Sequence, residues 1–558
     1  MDLSALIDQT FPHDEIVEEY KVRSFLLGTK GSGIGHIAEA FAFTVAEAAR
    51  EPWHHYYGQN ASGNPNLEDV TGDILNYWKR RALEAPHPML SARYSDLVWD
   101  LSKIACQQNP SVSFAHCAID KTIELYTVGN FPNRWEMLRR LDRALSISIS
   151  IGDNGRKERL IEVLWGFLEG SPEPTAYFVD VVFKTKGLAL NEDRRTDFLK
   201  KFVEKAIHPK SIDPISRKDF VIRLAKELRR SALTDSIDAV LNSYIDGVIA
   251  LSSGANGLLG SAWLKDSYDG LNEAGFRKHA HRLVSLLQEK QRLSVGEFAT
   301  FSVPMSITKD ELDAFANEMV RGTFNEVIAR AAFYFVVTRQ DAEASLKNKE
   351  HSFLDSISKD ILDEDGRVVA RIGSIEDDFE SNLVFETSQT VQLKAPFLRF
   401  VLERILVEHP NLYEQLISTA RASAIFPTGS ISIVEKSLNA YAQNDYVTML
   451  HLLVPQLEAV IRNLHRLVDG DPYRPDGSGG LSLRTLDDLL RDDPCERSFG
   501  SDVCFFLRVL LTDRRSLNIR NRVCHGMLAE DQFSFVMADA GLHVLLLLLL
   551  LKPAKENG

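Results

Sequence analysis

Apolar residues return every three or four positions in window after window of this chain, the period of an amphipathic helix. The stripe is clearest over 447–467, with apolar side chains at 450, 453, 454, 457, 461 and 464. It recurs over 94–104, 115–126, 135–147, 158–168, 198–206, 220–228, 237–251, 281–287 and 324–337. Between these windows lie turn signals such as Gln108-Asn109-Pro110, Gly152-Asp153-Asn154-Gly155 and Gly170-Ser171-Pro172, where Pro and Gly interrupt helices. The expected fold class is therefore mainly all-α. From about 67 to 362 the rhythm predicts paired antiparallel helices in an irregular helical-repeat, solenoid-like region. No fixed repeat with shared signature residues accompanies it.

Residues 1–66 are expected to form an N-terminal helical segment, with helices over 15–27 and 37–50 around a glycine-rich loop, Gly28-Thr29-Lys30-Gly31-Ser32-Gly33-Ile34-Gly35-His36. That loop invites a phosphate-binding reading. It lacks Gly-Lys-Ser/Thr at the required spacing and no strand precedes it, so a structural turn is expected. In Trp53-His54-His55-Tyr56-Tyr57 the adjacent histidines would point to different sides of a helix, which makes no metal grip. Aromatic packing at a helix end is expected there.

Residues 363–427 read as a connector with short strands. Asp363-Glu364-Asp365-Gly366 would turn into a strand paired with 382–394, and a helix would resume over 397–417. Its three acids read as a solvated turn closed by Gly366 rather than a cation site. Phe426-Pro427-Thr428-Gly429 then opens a helical bundle over 428–553. Pro455 should kink or restart the helix over 447–467. Leu545–Leu551 is a run of seven leucines. With Asp539 and His543 just upstream it is too short to span a bilayer, and it reads as part of a roughly 30 Å helix, 532–551, buried on all sides.

The chain has 558 residues and a formal net charge of -14. Broad coating of nucleic acid is thereby disfavoured, because phosphate neutralisation supplies most of that affinity. Five cysteines, none spaced CxxC, argue against a disulfide scaffold or a cysteine zinc site. No metal or cofactor is expected. An acidic start without a basic leader predicts a cytoplasmic protein.

Against the acidic background, Arg514-Arg515-Ser516-Leu517-Asn518-Ile519-Arg520-Asn521-Arg522-Val523-Cys524-His525-Gly526 holds four arginines, one histidine and no acid. Such an island attracts phosphate. On a helix Asn521 and His525 share a face, being i and i+4. Arg520 lies about 140° round from His525, so one helix would not aim both at one atom. Two copies about a two-fold axis would bring both groups to a shared cleft. Gly526 is expected to end the helix in a left-handed conformation. The chemistry on offer is phosphodiester cleavage without a metal. A histidine moves a proton to or from a ribose hydroxyl, an arginine fork holds phosphate oxygens, and an asparagine holds the histidine or the phosphate. Upstream, His451, Glu458, Arg462 and His465 form a polar stripe on the 447–467 helix. Glu458 and Arg462 pair at i,i+4; the stripe would line the cleft and orient Arg520, or else form a solvated polar face, a reading that suits His451 and His465 better than Glu458. Cys524 reads as a small buried side chain.

Arg520-Asn521-x-x-x-His525 resembles the Arg-(four to six residues)-His motif of the HEPN superfamily, with the polar residue after the arginine that its ribonucleases usually carry. Leu453-Val454-Pro455-Gln456-Leu457-Glu458 is similar to the helix ahead of this motif in large bacterial proteins of otherwise unknown function. Arg93-Tyr94-Ser95-Asp96-Leu97-Val98-Trp99 resembles their helical N-terminal region. The resemblance covers roughly 428–553. It implies a HEPN-like bundle that dimerises and cuts RNA independently of metal, often as a toxin or antiphage effector. Arg520, Asn521 and His525 would be catalytic, and Glu458, Arg462 and Arg522 would support the site or bind RNA. The N-terminal region would meet a protein partner or trigger. Two other readings compete. One is a noncatalytic helical scaffold that dimerises through the C-terminal bundle; the other is a small-ligand sensor on the glycine loop. A scaffold has no need for Arg520, Asn521 and His525 together.

Overall fold

In the computed structural model the described residues are 3–13, 16–17, 19–29, 33–48, 51–55, 70–129, 131, 133–210, 213–298, 307–348, 357–363, 365–468, 470–477 and 479–551. The chain divides into two compact units, Met1–Ser294 and Val295–Gly558, each with its own apolar core. Both are mainly α-helical, and the described strands form only short two-stranded antiparallel hairpins.

In the first unit many helices pack on their neighbours in sequence. Pro88–Cys106 lies against Gly72–Glu84 and Val112–Val128, and Arg134–Ser150 against Val112–Val128 and Asn154–Glu169. Lys218–Arg230, Thr234–Gly254 and Gly257–Glu273 continue the pattern. The turns follow local chemistry. Gly129 closes a helix at φ 78°, and Asn133 caps the next by accepting from the Trp135 N–H at 2.9 Å. The helix expected over 37–50 is different: it spans Ile34–Thr44, and Val45–Ala48 then pairs with Glu51–His55 as a hairpin. Pro52 has no N–H to donate and cannot continue a helix. Trp53, His54 and His55 therefore lie in a strand, not at a helix end. Residues 56–57, and 30–32 of the glycine loop, lie outside the described residues, so the phosphate-loop question falls there.

The second unit is built round the Phe535–Leu549 helix, in which every residue from Met537 to Leu549 is buried. Phe324–Tyr334, Phe379–Glu408 and Tyr446–Leu467 pack against it. The leucine run is thus inside the unit, as its composition predicted. At 15 residues the helix is about 22 Å long, shorter than expected, because Glu530–Gln532 forms a separate turn. Two polar groups are carried in with it. Asp539 accepts from the Tyr441 hydroxyl at 2.6 Å and from Arg399 Nη1 at 3.2 Å. His543 Nε2 lies 2.7 Å from the Ala332 carbonyl.

The expected domain start at 428 falls inside this unit, because the helices Phe324–Tyr334 and Phe379–Glu408 share its core. The strand expected after Asp363 exists, Val368–Ile372, but its partner is Lys359–Leu362. Residues 382–394 belong to the Phe379–Glu408 helix. The Tyr446–Leu467 helix runs unbroken through Pro455, which is exposed and does not restart it. Among the described residues no helix is long and apolar enough to cross a membrane.

Candidate active site

The basic stretch folds as a turn, a short helix and a second turn. The helix is Ile519–Cys524, six residues. Ile519 and Val523, four apart, are its buried face, and it packs on the Tyr446–Leu467 helix. Asn518 precedes it at φ 47° and ψ 39°, a left-handed position that asparagine tolerates better than most residues. Gly526 closes it at φ 63°. The Gly526 N–H donates to the Val523 carbonyl at 3.3 Å, and the Met527 N–H to the Arg522 carbonyl at 2.9 Å. This paired closure uses glycine's freedom at positive φ, as the sequence suggested.

The helix therefore ends at Cys524, and His525 stands beyond it at φ −102° and ψ 7°. The 140° separation argued for one continuous helix does not apply. Arg520 Nη1 lies 3.4 Å from His525 Nε2 within one chain, so the geometric reason for a second copy disappears. A guanidinium only donates, so Nε2 can only be the acceptor in this contact.

Two groups orient Arg520. Its Nε donates to Glu458 Oε2 at 2.7 Å and its Nη1 to Asn521 Oδ1 at 3.0 Å. Asn521 Nδ2 donates to Asn518 Oδ1 at 2.7 Å and to the Thr512 carbonyl at 3.3 Å. Because the Thr512 carbonyl only accepts, the amide orientation is fixed and Oδ1 faces the arginine. Asn521 therefore holds the arginine, where the sequence suggested the histidine or the phosphate. Glu458 also pairs with Arg462. Burial pushes the Glu458 carboxyl up, but hydrogen bonds from Arg520 and Arg462 outweigh it and hold it below the usual carboxylate range. Burial likewise disfavours the Arg520 charge, and Glu458 reverses that, leaving the guanidinium above its ordinary value.

Arg520, Asn521 and His525 stand on the wall of an open cleft of about 620 Å³. The remaining walls come from Val368–Ile372, Leu486–Leu490 and the turn at 512–515. Five arginines and two aspartates line it, which makes it a cationic cleft in an acidic chain. Much of that charge is already paired: Arg371 with Asp360, Arg491 with Asp487, and Arg515 with Asp513. The field is weaker than the bare sequence implies, because acids outside the basic stretch fold onto it. Arg514 is exposed and has no ion-pair partner among the described residues.

The other expected residues separate. Glu458 orients Arg520, and Arg462 shares the Glu458 carboxylate without lining the cleft. Arg522 does not line it either. His451 bonds the Val447 carbonyl and stacks on Phe533 at 5.1 Å. His465 is fully buried, its Nε2 3.0 Å from the Leu489 carbonyl and 3.2 Å from Cys495 Sγ. It belongs to the core, because 465 is adjacent to the apolar row that ends at Leu464. Cys524 is exposed rather than buried, and partial burial of its thiol still disfavours the thiolate despite Arg520. Sequence reading missed Asn518, whose place just before a helix is a capping position. It also missed Thr512, Arg371 and Arg491, which are remote in sequence and carried no signal. Compared with protein-family models, curated proteins and solved structures, the chain matches none.

Proposed function

We propose that this protein is a HEPN-type endoribonuclease that cuts RNA through the ribose 2′-hydroxyl with side chains alone. The observation that supports it best is the convergence of an oriented arginine and an accepting imidazole nitrogen, 3.4 Å apart, on an open cationic cleft. In this reading His525 Nε2 takes the proton of the 2′-hydroxyl as that oxygen attacks the adjacent phosphorus. The bond to the 5′-oxygen breaks, and that oxygen takes up a proton. The products are a 2′,3′-cyclic phosphate and a 5′-hydroxyl. Arg520 clamps the non-bridging oxygens, whose charge grows in the transition state. Arg514 draws the phosphate backbone in. A second copy meeting this one across the cleft would supply a second His525 as the acid for the leaving oxygen. The leucine-rich helix, buried in its own unit, is not the dimer surface.

The test is incubation of the purified chain with total RNA in excess chelator, followed by mapping of the cut ends. Cyclic phosphate termini are expected, with cleavage undiminished by EDTA and absent from RNA carrying 2′-deoxy at the cut site. Loss of activity in EDTA with recovery on magnesium would overturn the proposal. Sedimentation at micromolar concentration tests the dimer.

A second reading, a noncatalytic helical scaffold, is favoured by one observation: Glu458 and Asn521 already satisfy much of Arg520. Equal RNA cleavage by wild type and a folded His525→Ala variant would decide for it.

A further inference from the structure

One wall of the cleft that carries Arg520 and His525 is the short helix Leu486–Leu490, which Arg491 follows directly. Asp487 and Arg491 are four apart and so share a face. Arg491 Nε donates to Asp487 Oδ2 at 2.7 Å. Both side chains line the cleft, and both are accessible, Arg491 51% and Asp487 38% exposed.

The pair is anchored to the proposed catalytic groups. Asp487 Oδ1 lies 3.0 Å from Thr512 Oγ1, whose one proton it shares with the Arg508 carbonyl at 3.1 Å. Arg508 Nε stands 3.6 Å from the same carboxylate oxygen. The Thr512 carbonyl accepts from Asn521 Nδ2 at 3.3 Å, and Asn521 Oδ1 accepts from Arg520 Nη1 at 3.0 Å. A continuous run of contacts therefore fixes Asp487 relative to the Arg520 clamp.

Both partners keep bonding capacity. A carboxylate has about four lone-pair sites, and Thr512 and Arg491 take one each. Arg491 spends its Nε on Asp487, and its Nη1 and Nη2 have no hydrogen-bond partner among the described residues. The other carboxylate of the lining, Asp513, differs. It is 10% exposed and accepts from the Arg515 N–H, Nε and Nη2. Asp487 is thus the carboxylate in the lining that a ligand reaches.

Two acceptors beside a donor match one base. The Watson–Crick edge of guanine presents, in order, the N2 amino group, the N1–H and the O6 acceptor. Adenine and cytosine each set a single donor beside an acceptor nitrogen, and uracil sets one N–H between two carbonyls. Single-stranded RNA is read on such edges. We propose, resting on the nuclease reading of this cleft, that Asp487 and Arg491 read an unpaired guanine and so place the cut beside a guanosine. The Asp487 oxygens accept from the N2 amino group and N1–H, and Arg491 donates to O6. A guanine paired in a duplex has that edge occupied and is refused.

The test is fluorescence anisotropy of the full-length protein with short labelled single strands of uridine. Each carries one central guanosine, inosine, adenosine, cytidine or uridine, and each is 2′-deoxy throughout, so that none is cut by the proposed route. The guanosine strand should bind about tenfold or more tighter than the adenosine, cytidine and uridine strands. Inosine, which lacks the amino group but keeps N1–H and O6, should fall between. Asp487→Asn should abolish the preference, because an amide turns one acceptor into a donor. Arg491→Ala, at an exposed position and so mild for folding, should reduce it about fivefold. Arg520→Ala should weaken all strands alike and keep the ratio, because it meets phosphate. The matching ribose strands, mapped at their cut ends, form the second arm. Guanosine-selective binding with no cut in any ribose strand would overturn the nuclease reading and support guanine recognition. Cuts spread evenly over all the ribose strands would overturn guanine recognition and leave the nuclease reading standing. Guanine recognition would also be overturned by equal affinity for all strands, by no binding below millimolar concentration, or by a guanosine preference that survives both Asp487→Asn and Arg491→Ala.

Discussion

Arg520 has one charge and five N–H groups, and Glu458 and Asn521 determine where they point. A planar fork fixed on its Nε side presents its outer edge in one direction, which is what phosphate recognition needs. Two predictions belong at this scale. In the proposed reaction His525→Ala and Arg520→Ala should each lower cleavage about 10²–10⁴-fold, with circular dichroism unchanged, because neither side chain is core. Glu458→Gln should lower kcat about tenfold, with a smaller change in KM, because the arginine is still present but less firmly aimed. It should cost about 1–2 kcal/mol of stability after screening at the partly exposed Arg520. Thermal unfolding and single-turnover kinetics measure the two effects separately. The Glu458 carboxyl is held low in the fold. Its contribution is therefore present above the ordinary carboxylate range and lost as pH falls through the folded value.

The Phe535–Leu549 helix is apolar enough to be enclosed on all sides, and it takes His543 inside with it. His543 sits against Phe335 and Phe506, and burial lowers its ionisation to about 4. A free histidine titrates near 6.5. Between those values the unfolded chain binds the proton and the folded chain does not, so stability rises with pH across that window. The shift corresponds to about 3 kcal/mol. Stability from this source should be complete above about pH 6.5 and lost by about pH 4. Urea unfolding as a function of pH reads it. His543→Leu should flatten that part of the curve, and an unchanged slope would remove His543 as its cause. The Ile519–Cys524 helix teaches a different lesson. Its shortness, set by Asn518 and Gly526, places His525 beside Arg520.

At the scale of the whole molecule, buried apolar residues fall into one cluster ending at Leu287 and another beginning at Met319. A separate core is the condition for independent folding. The fragment 295–558 should therefore fold alone with a cooperative thermal transition, and in the proposed reading should still cut RNA. A fragment starting at 428 should not fold, because it lacks the Phe324–Tyr334 and Phe379–Glu408 helices that cover the central helix. Expression of both fragments, with unfolding followed by circular dichroism, checks this.

The sequence by itself determined the helices, the buried leucine run and the left-handed close at Gly526, because period, composition and glycine chemistry act over a few residues. It also brought Arg520, Asn521, His525 and Glu458 into view. Only the tertiary structure decided that His525 leaves the helix and meets Arg520. It sets Glu458, 62 positions away, against the arginine, as the polar stripe suggested, and it alone decided that Asp360, Asp487 and Asp513 pair with cationic residues lining the cleft. The domain start at 428 was misplaced for the same reason. Local punctuation marks where a helix stops, but which helices share a core depends on contacts between residues far apart in the chain.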